Sequence, residues 1–489
     1  MPHTKAARPI LALASDPIRT HSQRSLWLTE AFADNGETLP QLRDHETADV
    51  CIVGGGFTGL WTAYELISRD PAANVTIVEA GICGGGASGR SAGFALSWWA
   101  DFPALVQLCG TEAAILLAHR AEQAVAEIGS FCAAYGLAAS CQQSGWLWAA
   151  ASPAQVGAWE PTVKLLAELG EEPFELLSPR EVAAVTGSPA HLAGLYEPSA
   201  ATLQPALLAR TLRRVLRESG VRIYEHSQVR SIAADAGPAA AGLEVKTATG
   251  LIRAGQVVLA VGAWAARIPE IAAGLQVLAS DIVVTEPIPE QLAQLGASSG
   301  ICISDARRLV EYSRATPDGR LLFGKGGSAI AFQGRIDARF DHPGRRTPAL
   351  RSQLLRIYPT LWKAAVDCAW SGPIDYSLSG LPFLVRLREL PGVLVCAGFS
   401  GDGVGPSRLI GGLLAEMLGG PNDASVPVSL RTVPKASFRL PPEPLRFLGA
   451  SAIRAAIQRK EHAEDHGLAP APLLTRVAAL DPLSQARVA

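Results

Sequence analysis

The sequence predicts an α/β protein holding two architectures: a unit built on a buried parallel sheet, and a smaller α+β unit with a mostly antiparallel sheet. Three observations predict this. Val50-Cys51-Ile52-Val53 is a short apolar run of the kind buried on both faces of a parallel sheet, and it leads straight into Gly54-Gly55-Gly56-Phe57-Thr58-Gly59. Leu60, Ala63, Tyr64 and Ile67 then recur at helical spacing, and Val75-Thr76-Ile77-Val78 reads as a second strand ending at Glu79. Residues 282–340 are rich in strand formers and carry the turn signal Pro317-Asp318-Gly319.

In chain order, residues 1–46 are polar, irregular and proline-bearing, and are expected as an extension that packs on the surface or frays. After the strand, turn, helix and strand of 50–79, residues 101–170 are mostly helical, interrupted by a strand at Gly145-Trp146-Leu147-Trp148-Ala149. A helix is expected over 207–219, strands over 221–224 and 257–261, a helix over 350–358, and a buried strand at Val393-Leu394-Val395-Cys396. A helix over 408–418 follows a glycine-rich turn, and a last helix over 450–464 follows a proline-rich link.

Bulk composition narrows the function. The 489 residues are 48% hydrophobic and 18% charged, enough for a large core and too apolar for disorder. The net charge of -2 argues against a nucleic-acid partner, which asks for a basic face. Eight scattered cysteines without a CxxC pair read as reduced thiols, and nine histidines without paired ligand spacing predict no metal. The apolar stretch 9–14 is too short for a secretory signal, and no run approaches the ~18 apolar residues of a membrane span. A cytoplasmic protein with no membrane partner is expected.

The glycine turn carries the first chemical signal. Gly54-Gly55-Gly56-Phe57-Thr58-Gly59 fits G-x-G-x-x-G. Gly54 permits the tight turn, Gly56 lets the backbone approach a pyrophosphate, and Gly59 lets the helix pack close to the strand. The helix N-terminus attracts the anion. Glu79, 20 residues after Gly59, stands where a carboxylate accepts hydrogen bonds from ribose hydroxyls. Its charge disfavours a 2′-phosphate and so NADP, while FAD and NAD both remain open on this unit alone.

A second segment, Gly84-Gly85-Gly86-Ala87-Ser88-Gly89-Arg90-Ser91-Ala92-Gly93, resembles the flavin-contacting segment of the D-amino-acid oxidase superfamily, above all its glycine oxidase, sarcosine oxidase and gamma-glutamylputrescine oxidase branch. Further segments resemble that family in its own order: Ser227-Gln228-Val229, Leu259-Ala260-Val261-Gly262-Ala263-Trp264, Gly398-Phe399-Ser400-Gly401-Asp402-Gly403-Val404-Gly405-Pro406, and Pro441 to Arg446 in the tail. The resemblance implies a Rossmann-like FAD-binding domain of the glutathione-reductase type, assembled from 47–100, 200–265 and 376–436. It implies a substrate domain from 101–199 and 266–375, with 1–46 as an extension and 437–489 as a C-terminal helix and tail. FAD contacts are then expected from Gly54, Gly56, Phe57, Thr58, Gly59, Glu79, Ala80, Ala87, Ser88, Gly89, Arg90, Ser91, Ala92, Val229, Gly262, Trp264, Gly401, Asp402, Gly403 and Val404. Amides at the start of the last helix suit the negative charge of a reduced flavin. Some relatives attach flavin through a histidine where this chain has Arg90, others through a cysteine in the segment where it has Ser371 to Tyr376. Both departures imply noncovalent FAD.

Gly89-Arg90-Ser91-Ala92-Gly93 also matches G-x-S-x-G, but a hydrolase elbow needs a strand directly before it and a helix directly after, and this segment sits in a glycine-rich loop. For the substrate side, the resemblance points to Tyr312 and Arg314 near the 317–319 turn as carboxylate-holding groups, a role suited to arginine's planar fork. Lys325 is a candidate cation near the flavin, although it follows Gly324 where sarcosine oxidases have their lysine before the glycine. Trp98, Trp99 and Phe399 are candidate pocket walls, and Trp146 and Trp148, on one strand face, are expected to pack in the core. The implied activity is oxidation of an amine or amino acid, with hydride passing from the α carbon to flavin N5, hydrolysis of the imine, and reduction of O2 to H2O2. A dehydrogenase passing electrons to a quinone or carrier protein shares every motif. An FAD hydroxylase needs a further nicotinamide motif that the sequence lacks. A flavin-bound subunit of a larger oxidoreductase is the noncatalytic alternative.

Overall fold

A computed structural model describes residues 10–13, 25–34, 36–235, 242–297, 300–419, 427 and 439–481. Val50–Val53 is buried, as an apolar run in a central parallel strand must be, and belongs to the strand His45–Val53. That strand pairs in parallel with Leu251–Leu259 on one side and Val75–Val78 on the other, and Arg222–Tyr224 continues the parallel set. Val393–Ala397 adds a further parallel strand on Leu251–Leu259. Antiparallel strands Ser231–Ala234, Leu243–Lys246 and Ile10–Ala12 extend the nine-stranded sheet at one edge, and Phe383–Arg386 pairs with Val393–Ala397.

Helices Phe57–Arg69 and Val404–Leu418 pack on each other against this sheet. Their contact is close because Gly411 carries no side chain: a Cβ there would lie 2.7 Å from Trp61 Cβ. The Val404–Leu418 helix begins four residues earlier than its apolar periodicity suggests.

The second sheet has eight strands, in the order Val366–Ser377, Leu275–Thr285, Leu321–Ile330, Glu311–Ala315, Cys302–Asp305, Trp146–Ala150, Ala193–Glu197, Glu175–Leu177. Every neighbouring pair is antiparallel except Cys302–Asp305 with Trp146–Ala150. The turn at 317–319 joins Glu311–Ala315 to Leu321–Ile330, as its sequence predicts.

Two terminal segments depart from expectation. Within residues 1–46, the helix Leu26–Asp34 does not fray: Trp27, Leu28 and Ala31 are buried with Ile82, Ala206 and Trp370. Its few apolar residues are masked in the sequence by polar flanks. At the other end, the helix runs over Leu445–Asp465 and a second one, Pro472–Ala478, packs with it. Residues 420–426, 428–438 and 482–489 of the expected C-terminal boundaries lie outside the described residues.

Candidate functional site

A cavity of about 770 Å³ runs between the two sheets, within the range of roughly 300–1,000 Å³ usual for small-molecule sites. At one end lie Gly54, Gly56, Phe57, Thr58, Glu79, Ala80 and Val229. Gly54 has φ +112, and a Cβ there would strike Ala260 O at 2.3 Å. The helix Phe57–Arg69 starts with no side-chain cap, so its N-terminal dipole faces the cavity. The Glu79 carboxylate accepts from the amides of Gly55 and Gly81, each at 2.7 Å, which orients it while it lines the cavity.

Gly59 does not line the cavity. Its part is packing, because a Cβ there would meet Gly54 O at 2.0 Å and Ile52 Cγ2 at 3.1 Å. Gly89 is likewise structural: a Cβ would meet Gly84 O at 2.4 Å.

The second glycine segment crosses the middle of the cavity through Ala87, Ser88, Arg90, Ser91 and Ala92. Ser88 Oγ accepts from Phe57 N at 2.9 Å and so ties the two loops together. Arg90 is buried and holds the segment to the second sheet: Nη1 donates to Asp341 at 2.9 Å and to the carbonyls of Phe340 and Ser371 at 3.2 Å. The N-terminal helix fastens the other side, with Trp27 Nε1 donating to Ser91 O at 2.9 Å and Ser25 Oγ to Gly89 O at 2.7 Å.

Gly262 and Trp264 form a further part of the wall, and Phe399, Gly401, Asp402, Gly403 and Val404 form the turn before the last sheet-packed helix. Gly398, Ser400 and Gly401 all have positive φ, a sharp turn that delivers the chain to the uncapped N-terminus of Val404–Leu418. Asp375, which the sequence did not single out, pins this turn: its carboxylate accepts from Gly398 N at 2.6 Å, and its backbone oxygen from Ser400 N at 3.0 Å. Burial pushes the Asp375 carboxyl up to about 6. Two helix N-termini that their own N-cap residues leave without a side-chain cap thus open on one elongated cavity, with the Glu79 carboxylate at its end. That donor set fits a dinucleotide: a diphosphate at the first helix and an electron-rich ring at the second.

One face of the eight-stranded sheet covers the cavity. Side chains alternate along a strand, so Gln276, Leu278, Ser280 and Ile282 share that face, joined across the sheet by Tyr312, Ser304, Trp146 and Trp148. The Tyr312 ring lies across Gly324, whose Cβ would otherwise sit 2.2 Å from it, and its hydroxyl shares a 2.7 Å hydrogen bond with Ser280. Trp146 and Trp148 stack at 5.8 Å, and Trp146 Nε1 donates to Ser304 Oγ at 3.0 Å. They form cavity wall as well as core, which corrects the expectation of packing alone. Beside them stand three carboxylates, Asp101, Glu197 and Asp402. Burial, with Asp101 and Glu197 nearby, raises Asp402 well above the ordinary range, and burial raises Glu197.

Two candidate substrate residues are not brought to this cavity. Lys325 is one residue out of phase with the covering face and points to the other side, where Nζ meets its cross-strand neighbour Glu311 at 2.8 Å. Arg314 shares Tyr312's face, but there the strand is covered by Leu203 and Trp27. Its Nη2 donates to Leu203 O at 2.9 Å, and its guanidinium lies 5.0 Å from the Trp27 ring centre. Burial lowers it to about 10. Trp98 and Trp99 are core residues outside the cavity wall, with Trp99 Nε1 donating to Glu122 at 2.9 Å. All eight cysteines are free. Among the described residues no helix is long and apolar enough to cross a membrane, and no group of three His, Cys, Asp or Glu side chains could hold a metal ion.

Comparison with known proteins agrees with this geometry. The family profile described as "FAD dependent oxidoreductase" matches residues 49–417. Gamma-glutamylputrescine oxidoreductase of Escherichia coli strain K12 is 29% identical over 393 residues, covering 80% of this chain and 88% of its own. Glycine oxidase of Geobacillus kaustophilus strain HTA426 is 27% identical over 379 residues, covering 76% and 92%. A crystal structure of glycine oxidase from Geobacillus kaustophilus superposes with a TM-score of 0.62 at 22% identity, over 80% of this chain and 99% of that one. With more than half its length matched and a cavity shaped for the dinucleotide, the chain belongs to the FAD-dependent oxidoreductase family.

Proposed function

We propose that the chain oxidises a carbon–nitrogen bond of a primary or secondary amine or amino acid, and that dioxygen takes the electrons to give hydrogen peroxide. The observation that carries this is the continuation of the cavity past the dinucleotide cradle into a largely apolar chamber under Tyr312, Trp146 and Trp148. Relatives named for gamma-glutamylputrescine and for glycine support an amine substrate.

FAD held by the two loops supplies the acceptor for a hydride from the carbon beside nitrogen. The protein's share is to bind, orient and dry. Glu79 and the Phe57–Arg69 N-terminus fix the adenosine diphosphate end. Arg90 and Asp375 hold the second glycine segment and the turn at 398–401, which would contact the flavin. The aromatic walls exclude water and favour the neutral amine, because burial penalises an ammonium. Asp402 and Glu197, both raised by burial, do less to restore that ammonium than ionised carboxylates would. Noncovalent attachment follows from Arg90, whose guanidinium is committed to protein acceptors, and from the lack of a cysteine in residues 371–376.

The test is anaerobic mixing of the purified yellow protein with a panel of amines, followed by admission of air. Bleaching by an amine and stoichiometric peroxide on reoxidation are expected. Bleaching without peroxide, with turnover only on adding a quinone, would replace the oxidase reading by a dehydrogenase. A flavin that no amine bleaches would end the proposal.

A further inference from the structure

The C-terminal helix Leu445–Asp465 lies outside the residues matched by the family profile, yet one of its faces forms part of the cavity wall. Arg446, Gly449, Ala450, Ile453, Arg454 and Ile457 line the cavity, at the three- and four-residue steps that keep side chains on one side of a helix. The helix is fastened there by ion pairs. Arg307 donates to Asp465 at 2.7 and 2.8 Å, and the Glu461 carboxylate accepts from Arg308 N at 2.9 Å and Leu309 N at 3.1 Å. Gly326 and Gly327 of the covering sheet line the same wall.

Charge on this wall does not cancel. Its carboxylates are already engaged: Asp305 pairs with Arg307, and Asp481 with Arg308. Arg446 and Arg454 form no ion pair among the described residues. Arg446 donates only to carbonyls, those of Pro441, Ala272 and Leu275. Arg454 Nη1 donates to the carbonyls of Ser328 at 3.0 Å and Gly327 at 3.3 Å and its Nε is closed off from the cavity, while its Nη2 makes no hydrogen bond among the described residues. The acidic group whose field reaches Arg454, Asp281, is spent on Arg346 at 2.6 and 2.8 Å and on Ser371. A half-buried guanidinium with unused donors on a cavity wall is matched by a carboxylate, which takes a charge-assisted hydrogen bond from it.

We infer that Arg454 is a specificity-determining residue that receives a carboxylate carried by the substrate away from its reacting amine. This rests on the amine-oxidising reading for the identity of the other end of the substrate. It assigns the C-terminal helix a share in substrate choice beyond closing the cavity.

The test separates the two ideas. Simple alkyl carboxylates, which carry no amine and cannot react, are titrated into the FAD-loaded protein by calorimetry, alongside the matched neutral amides. In parallel, ω-aminocarboxylates of increasing length and their amides are compared by the anaerobic rate of flavin bleaching. Carboxylates are expected to be preferred over amides by about 10-fold or more at the best length, the size of one charge-assisted hydrogen bond. Arg454→Gln removes that preference while leaving the amide values within about twofold, and Arg454→Lys keeps most of it. A merely structural arginine would shift carboxylate and amide together. Equal binding of carboxylates and amides by the unaltered protein, or a preference that survives Arg454→Gln, overturns the inference. Carboxylate binding that depends on Arg454 but no bleaching by any amine leaves this subsite standing and removes the amine reading.

Discussion

Adjacent glycines in the Val404–Leu418 helix should respond oppositely to the same substitution. Alanine at Gly411 places a Cβ 2.7 Å from Trp61 Cβ, 2.8 Å from Trp61 C and 3.0 Å from Thr62 N. Two of those neighbours are backbone, so no rotamer change relieves the overlap. Carbon contacts settle near roughly 3.5–4.0 Å, so the two helices must part by about 1 Å. Alanine at Gly412 meets nothing within 4 Å. Both substitutions gain the same helix propensity, about 1 kcal/mol over glycine, so it cancels in the comparison. What remains is the overpacking at Gly411, about 1–3 kcal/mol. The same movement displaces the two helix N-termini that face the cofactor, so FAD affinity should fall with stability in Gly411→Ala alone. A cofactor-bound chain of this size does not unfold in one step, so the fitting assay is the temperature at which flavin fluorescence appears, with the FAD Kd beside it. The expected order of release temperature is Gly412→Ala at or above the unaltered protein, then Gly411→Ala. Equal release temperatures for the two variants, or the reverse order, would refute the close helix contact as the element that aligns both N-termini.

Two other perturbations test the cradle. Glu79→Gln puts a neutral amide where a carboxylate would meet the ribose hydroxyls. A hydrogen bond to a charged acceptor exceeds one to a neutral acceptor by about 1–2 kcal/mol, so FAD should bind roughly 5- to 30-fold more weakly by fluorescence titration, and an unchanged Kd would remove Glu79 from the site. Asp375 has a folded-state pKa of about 6 against 3.8 for the free side chain, so the native protein holds its proton more tightly. Its contribution to stability is therefore fully present below the unfolded value and is lost as pH rises through about 6. Asp375→Asn keeps an acceptor for Gly398 N–H and removes the titration. The variant should gain on the unaltered protein between pH 4 and 7, by up to about 3 kcal/mol for a shift of this size, in denaturation measured at successive pH values. A stability difference that stays flat with pH would show that Asp375 does not titrate in this window.

What the sequence determined by itself is the glycine-turn end of the cavity, because its parts are neighbours along the chain. A buried run, a glycine turn, a helix and a second strand ending in Glu79 depend on local backbone freedom and periodicity, so position 54 and position 79 are tied by one supersecondary unit. The flavin-facing segments were legible only by resemblance to a family, since glycine content alone does not say that Ser88 meets Phe57 or that Arg90 reaches Asp341. The substrate side was decided by tertiary structure. A period of two separates Tyr312 from Lys325 in principle, but the register of the sheet decides which face meets the cavity, and that is set by pairing across distant strands. The same register places Trp146 and Trp148 on the wall. The cover of Leu203 and Trp27 diverts Arg314, which shares Tyr312's face. The arginine of the last helix that meets the cavity is held there by contacts to residues 307–309, far away in the sequence: the Arg307–Asp465 ion pair and the backbone N–H groups of Arg308 and Leu309 on Glu461. Long-range contacts of this kind leave no local periodicity, and so no trace that one strand or helix carries alone.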